Sequence, residues 1–411
     1  MKNPLIIGAG VSGLVAAIEL EKLGYFPTII EATNRVGGRV KSDEIDGFPI
    51  DHGFQVLLTE YPEAQRYLDY EKLELVHFLP GSVIFKNGKQ EKIGDPLRDV
   101  SFLWPTTFAN IGTVNDKRLV LQLSLAIKNK TIKEIFAAPE QTTMDYLKAY
   151  GFTDEMIHDF FQPFFAGIFL ENDLETSSRM FEFVYKMFST GYAAVPKNGM
   201  QAIPNQLKAK LTQTEFLFDT KVNSIRDQTV YLENGEQLSA DTIIIATDPV
   251  NMLERYTASV PKWKSCYNLY FSAKADASLK DPIIRLLPGS ETLTNNFHFL
   301  NDVYTENESD AAILSVTVVT DHTLNAAELV QQIEVELREH CKIEVNKLLK
   351  MFHIKKALPY LDNLSYEPHA EAVIYQSGIY LCGDYLANGS LNAAMASGRA
   401  VVTLFSTSVP V

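Results

Sequence analysis

Cysteine is scarce: the 411-residue chain has three, Cys266, Cys341 and Cys382, far apart and in no C-x-x-C pair. So few, in odd number, exclude a disulfide framework and a zinc site and point to a reducing compartment, the cytoplasm. Basic residues are outnumbered, 37 Lys and Arg against 51 Asp and Glu, giving a formal charge of −14 with no basic run. Such a surface repels phosphate backbones, so nucleic acid is not an expected partner. No stretch reaches the ~18 consecutive apolar residues of a membrane span. The most apolar run, 160–170, is broken by Gln162 and Pro163. The amino-terminal apolar residues lack a small-residue cleavage site and read as mature protein rather than a signal peptide. The eight histidines keep no metal-ligand spacing, and neither a G-x-S-x-G elbow nor a G-x-x-x-x-G-K loop occurs. No metal is expected.

What remains is an ordinary globular composition, 46% hydrophobic and 21% charged, long enough for about two or three structural units. Leu5-Ile6-Ile7 reads as a buried strand, followed by Gly8-Ala9-Gly10-Val11-Ser12-Gly13, a helical pattern from Leu14 to Gly24, and a second strand at 28–30 closed by Glu31. This is a β–α–β unit. Residues 61–70, 117–130, 143–149 and 154–165 read as aromatic-rich helices. Strands are expected at 221–225, 229–232, 241–246, 266–273, 311–319 and 379–382, with helices at 326–350 and 391–405. Nucleotide-type strands near 5, 28, 220, 241 and 380 predict an α/β fold. A Rossmann-like dinucleotide domain is assembled from 1–59, 196–250 and 365–411, with an inserted α+β substrate domain from 60–195 and 251–364.

Gly8-x-Gly10-x-x-Gly13 sits between strand and helix, where each glycine has work. Gly8 makes the tight turn, Gly10 lets a pyrophosphate reach the backbone, and Gly13 packs helix on strand. The helix N-terminus offers free N–H groups to phosphate. Glu31 can hold both ribose hydroxyls and repels a 2′-phosphate, which disfavours NADP. The fingerprint alone leaves NAD and FAD open.

Arg35-Val36-Gly37-Gly38-Arg39 follows directly, and Arg39 can pair with phosphate. With Ile50-Asp51-His52-Gly53-Phe54-Gln55, Pro196-Lys197-Asn198-Gly199-Met200, Ala357-Leu358-Pro359 and Gly383-Asp384…Gly389-Ser390-Leu391, it resembles the flavin amine oxidase superfamily. That superfamily includes monoamine oxidases, protoporphyrinogen oxidase and phytoene desaturases. The resemblance implies FAD, held non-covalently because no cysteine lies between Cys341 and Cys382. It implies cofactor contacts at Gly8, Gly10, Ser12, Gly13, Glu31, Ala32, Gly38, Arg39, Gly53, Phe54, Val222, Gly383, Asp384 and Leu391. Thr33 stands where the family has an adenine-side arginine, and Ser390 where monoamine oxidases place a cage tyrosine.

The missing cage tyrosine and the aromatic middle domain favour dehydrogenation of a hydrophobic small molecule, desaturase-like or protoporphyrinogen oxidase-like. The substrate gives hydride to flavin N5, and oxygen or a quinone-like carrier accepts the electrons. Flavin amine oxidation is the alternative. A non-redox flavin mutase and an FAD-free binding protein are alternatives of other classes. No catalytic residue is assigned. His52 reads as a hydrogen-bonded structural histidine, and the phenylalanines of 160–169 as core that could double as an apolar tunnel. Weak peripheral membrane contact stays open, and the oligomeric state is not readable.

Overall fold

The computed structural model describes residues 3–250, 252–253, 256, 262–274, 281–289, 291–307, 312–319 and 322–408. Its centre is a six-stranded sheet. Leu5–Ile7 lies between Thr28–Ile30 and Ile243–Ile245, all parallel and in register through Ile6, Ile29 and Ile244. Glu215–Leu217 extends one side and Ile379–Leu381 the other, with Ile374–Gln376 antiparallel at the edge. The strands are Ile-rich because a parallel sheet is covered on both faces. Ile6, Ile29 and Ile244 point to a core shared with the helices Val11–Lys22 and Leu391–Ser408. Leu5, Ile7, Ile243 and Ile245 point the other way, onto a small antiparallel sheet of Val222–Arg226, Thr229–Leu232 and Gln237–Ser239. Each fully buried isoleucine contributes roughly 1.5–3 kcal/mol. The strand expected at 221–225 therefore belongs to that covering sheet, and Glu215–Leu217 takes the parallel position. Three residues at a sheet edge are too few to leave a periodic signal.

A second, seven-stranded sheet runs in the order Val345–Tyr360, Lys262–Ala273, Ala312–Val318, Thr294–Phe299, Ile284–Leu286, Gly81–Lys86, Lys89–Gly94. One face packs on the helix Ala326–Cys341 through Leu329, Ile333 and Leu337. Asn325 and Glu328 close that helix with a capping box. The helix expected over 326–350 stops at Cys341: Lys342 turns left-handed at φ 59°, and a strand follows. Leu348, Leu349, Met351 and Phe352 suit either period, and pairing with Lys262–Ala273 decides for strand. The segment 311–319 is a strand over Ala312–Val318, with residue 311 outside the described range.

The part expected to be helical also contributes a hairpin, Gly81–Lys86 with Lys89–Gly94. Asn87 and Gly88, at φ 53° and 71°, make the left-handed turn that an Asn-Gly pair favours. The helices Val114–Asn129, Ile132–Ala137, Thr143–Tyr150 and Ser178–Thr190 form a bundle beside it, the first three capped by Thr113, Thr131 and Thr142. The helix expected at 154–165 is broken into Asp154–Met156, a wide π turn at Ile157–Phe161, and Gln162–Phe169. Pro163 lacks the N–H that would continue the α ladder. Among the described residues no helix is long and apolar enough to cross a membrane.

Candidate functional site

A cavity of about 1150 Å³ lies between the two sheets and the helical bundle. One end is glycine. Gly8 turns at φ 104°, and Gly37 N–H donates to Ala9 O at 2.9 Å, which sets the two glycine turns face to face. A Cβ at Gly38 would stand 3.2 Å from Gly10 Cα. A Cβ at Gly13 would stand 2.1 Å from Gly8 O, whereas one at Gly10 would meet nothing nearer than Gly38 Cα at 3.9 Å. Gly13 is thus filled by protein and Gly10 opens on the cavity. The helix Val11–Lys22 begins there with no side-chain cap and no acidic residue in its first turn. Its free N–H groups and positive end face the opening.

The charges at this end are matched. Glu31 accepts from Ala9 N (2.8 Å), Thr33 N (2.9 Å) and Thr33 Oγ1 (2.8 Å). Thr33 therefore holds the glutamate instead of supplying a cation. Arg39 donates to Ala357 O at 3.1 Å, forms an ion pair with buried Asp384, and lies over the Trp263 ring at 5.3 Å. Lys356 pairs with Asp248. Ser390 is buried and caps the last helix by accepting from Ala393 N at 3.0 Å.

Gly53 and Phe54 lead from the glycine end toward the aromatic end. Phe54 packs on His298 (4.7 Å) and Phe78 (6.0 Å), and burial pushes His298 down to about 3, keeping it neutral. His52 bonds Asp43 at 2.9 Å and stacks on Phe352 at 4.2 Å, which is the structural hydrogen bonding expected of it. Beneath, Asp51 accepts from Ser42 Oγ and Met200 N and is buried enough for its carboxyl to rise to about 6. That clasp fixes the turn at Gly199, which has φ 74°. The 160–169 phenylalanines divide by helical spacing. Phe160 and Phe164 line the cavity beside Ile168, whereas Phe161 is sealed in the core and Phe165 and Phe169 serve both.

Of the sequence-predicted contacts, Gly8, Gly10, Ser12, Glu31, Gly38, Arg39, Gly53, Phe54, Gly383, Asp384 and Leu391 line this cavity. Gly13 packs behind it, Ala32 is exposed, and Val222 sits in the covering sheet, two residues beyond Thr220, whose N–H donates to Glu31 O. Sequence reasoning missed Trp263 and Lys264, Asn296, and Thr317, which arrive on three different strands of the second sheet. Arg98 and Lys117, from the loop and helix after the hairpin, were missed as well. No local motif marks any of these.

A parallel sheet with a glycine cradle at its carboxyl edge, facing a second, mixed sheet across a cavity, defines a dinucleotide-binding scaffold. The chain belongs to the flavin-containing amine oxidoreductase family, whose sequence model matches residues 11–404, and is an FAD-dependent oxidoreductase. It is 23% identical over 328 residues to coproporphyrinogen III oxidase of Bacillus subtilis, covering 68% of this chain and 67% of that one. It is 28% identical over 170 residues to protoporphyrinogen oxidase 2, chloroplastic/mitochondrial, of Arabidopsis thaliana, covering 40% of this chain and 32% of the relative. Reduced UDP-galactopyranose mutase shares the fold, with a TM-score of 0.70 and 15% identity over 100% of this chain and 97% of that one. The residues present fit FAD: the space a Gly10 side chain would take is open, and the uncapped helix end faces it.

Proposed function

We propose that the chain dehydrogenates a hydrophobic organic substrate, a porphyrinogen-type macrocycle ahead of a polyene, with oxygen or a quinone-like carrier as final acceptor. The observation that carries this reading is the aromatic wall. Phe160, Phe164, Ile168 and Phe188 line the cavity beyond Phe54 and Phe78, and such a wall excludes water from a large apolar guest. The names of the two relatives support the macrocycle. The mutase likeness concerns fold alone, and one scaffold hosts several chemistries.

FAD, when bound, supplies the electron-pair acceptor. In this reading Gly8, Gly10 and the start of Val11–Lys22 take its pyrophosphate, and Glu31 its ribose hydroxyls. Asp384, steadied by Arg39, takes the sugar-alcohol chain. In this reading the flavin is held without a covalent tether: burial pushes the thiol of Cys266, at the cavity wall, up to about 12, which disfavours the thiolate a tether would need. Segments 1–59, 196–250 and 365–411 hold the cofactor, and 60–195 and 251–364 hold the substrate.

The mouth fits an apolar guest as well. Leu97, Leu103, Val114 and Leu121 are exposed and line the cavity. They merge with exposed Trp104 and Phe108, stacked at 6.0 Å, in a patch of the kind that marks contact with an apolar phase. This supports weak peripheral membrane contact.

The test is anaerobic reduction of the purified holoprotein, followed by flavin absorbance. Coproporphyrinogen or protoporphyrinogen is expected to bleach it within seconds, and primary amines to leave it unchanged. Bleaching by amines alone would overturn the proposal in favour of amine oxidation.

A further inference from the structure

Three cations line the cavity with carbonyl and hydroxyl partners only. Lys264 Nζ donates to Phe169 O at 2.9 Å and to Thr176 Oγ1 at 3.1 Å. The Arg98 guanidinium donates to Phe188 O at 2.6 Å and to Gly191 O, and lies over the Tyr192 ring at 4.7 Å. Lys117 Nζ donates to Thr107 O at 3.0 Å and Ala109 O at 2.7 Å. Among the described residues none of the three has a carboxylate oxygen within 4.0 Å. At the glycine end, by contrast, Arg39 has Asp384 and Lys356 has Asp248.

The acids nearby act at longer range: Glu171 and Glu175 on Lys264, Asp95 on Arg98, Glu91 on Lys117. Burial outweighs them and holds all three cations below their usual range. Carbonyl dipoles offset only part of the cost of taking a charge out of water. An ammonium has three N–H donors and a guanidinium five, so each of these groups keeps at least one to give. In a protein of net charge −14, cations left unpaired in an apolar cavity are a local invitation to an anion that the overall field does not provide.

We infer that Lys264, together with Arg98 and Lys117, selects an apolar substrate that carries carboxylates, each cation taking a carboxylate oxygen through an N–H not spent on a carbonyl. The inference rests on reading the cavity as the substrate site, and it names what that substrate must bear. A hydrocarbon polyene offers nothing to these groups; a ring with acidic side arms does. The residues discriminate by charge at the periphery of the guest, away from the carbon that is oxidised.

The experiment measures binding, so it stands apart from turnover. Oxidised holoprotein is titrated, in dilute non-ionic detergent, with coproporphyrin III and with its methyl ester, following porphyrin fluorescence. The wild type is expected to prefer the free acid by about tenfold, the size of one good charge-assisted contact. Lys264→Met is expected to bring the preference below about threefold, Lys264→Arg to keep it, and Lys117→Met, on the outer wall, to lower it independently should Lys264→Met fail to fold. Equal binding of acid and ester by the wild type overturns the inference, as does a preference unchanged in Lys264→Met and Lys117→Met. A retained acid preference without any porphyrinogen oxidation supports the anion site and sinks the redox assignment instead.

Discussion

At the glycine end of the cavity Arg39 meets Asp384 and Glu31 meets three donors, whereas at the aromatic end Arg98, Lys117 and Lys264 meet neutral oxygens alone. The first end is built from backbone and fully paired charge, the second from side chains that leave bonding capacity over. A cofactor that stays bound calls for a rigid, satisfied cradle. A guest that comes and goes is better served by groups whose partners arrive with it. The same cavity thus spends its polar groups in two ways, and substitutions at either end should fail differently.

The largest effect is expected from the paired glycines. Gly13→Ala drives a methyl into Gly8 O, separates helix from strand, and should lower Tm as well as abolish flavin content, since overpacking costs about 1–3 kcal/mol or more. Gly10→Ala places its methyl in open cavity, so the apoprotein should melt as the wild type does while flavin absorbance is lost. Flavin retained in Gly10→Ala would break the cradle assignment. Behind these, Asp384→Ala leaves Arg39 without its carboxylate, and Glu31→Arg puts a cation on the ribose side. Each should cost cofactor affinity by roughly 2–3 kcal/mol, read as the ratio of flavin to protein absorbance after gel filtration. Wild-type flavin content in both would show that the pairing is structural only.

The same contrast explains what could be read from the sequence. The cradle is local: strand, glycine turn, helix and acidic strand end fall within residues 5–31, so spacing alone located Gly8, Gly10, Gly13 and Glu31. Asp384 was legible through the family resemblance, supported by the buried strand, the glycine and the helix that bracket it. The aromatic end has no such continuity. Lys264, Asn296 and Thr317 line one cavity only because three antiparallel strands pair, and that pairing is a tertiary event. The first part of the strand Val345–Tyr360, as far as Lys350, reads as a continuation of the preceding helix because its apolar residues satisfy both periods. The hairpin at 81–94 did carry a signal, Asn87-Gly88 between β-rich runs, and that signal was passed over. Arg39 was legible as a cation near phosphate, but its pairing with Asp384, far along the chain, was not.

A smaller effect concerns the floor shared by both ends. Burial raises the Asp51 carboxyl to about 6 in the folded protein, against about 3.9 in an unfolded chain. Between those values the folded state holds the proton more tightly. Asp51 therefore favours folding at low pH, and its contribution is lost as pH rises through about 6, costing roughly 1–3 kcal/mol above it. Asn at this position still accepts from Met200 N and Ser42 Oγ. The Tm of Asp51→Asn should thus match the wild type near pH 4 and exceed it near pH 7. Asp302, also raised to about 6 beside Arg285, titrates alike in both proteins and cancels in the difference. A difference that does not change with pH would mean that Asp51 is ionised in both states.

The smallest effect lies outside the cavity, where the aromatic end meets solvent. Trp104 and Phe108 are 67% and 76% exposed on one short helix, and Lys117, which donates to Thr107 O on that helix, is followed by exposed Arg118. Apolar area with basic neighbours favours an anionic lipid surface, each cation adding about 1 kcal/mol at most. Trp104→Glu with Phe108→Glu removes the apolar part and adds two repelling charges without touching a buried group. Co-sedimentation with phosphatidylglycerol vesicles should fall several-fold in the double variant, while flavin content and bleaching by a detergent-dispersed porphyrinogen stay at wild-type levels. If vesicle binding is absent in the wild type and its mass grows with concentration in a way the double variant abolishes, the patch joins two copies of the chain. The aromatic mouth would then be shared between subunits rather than offered to a membrane.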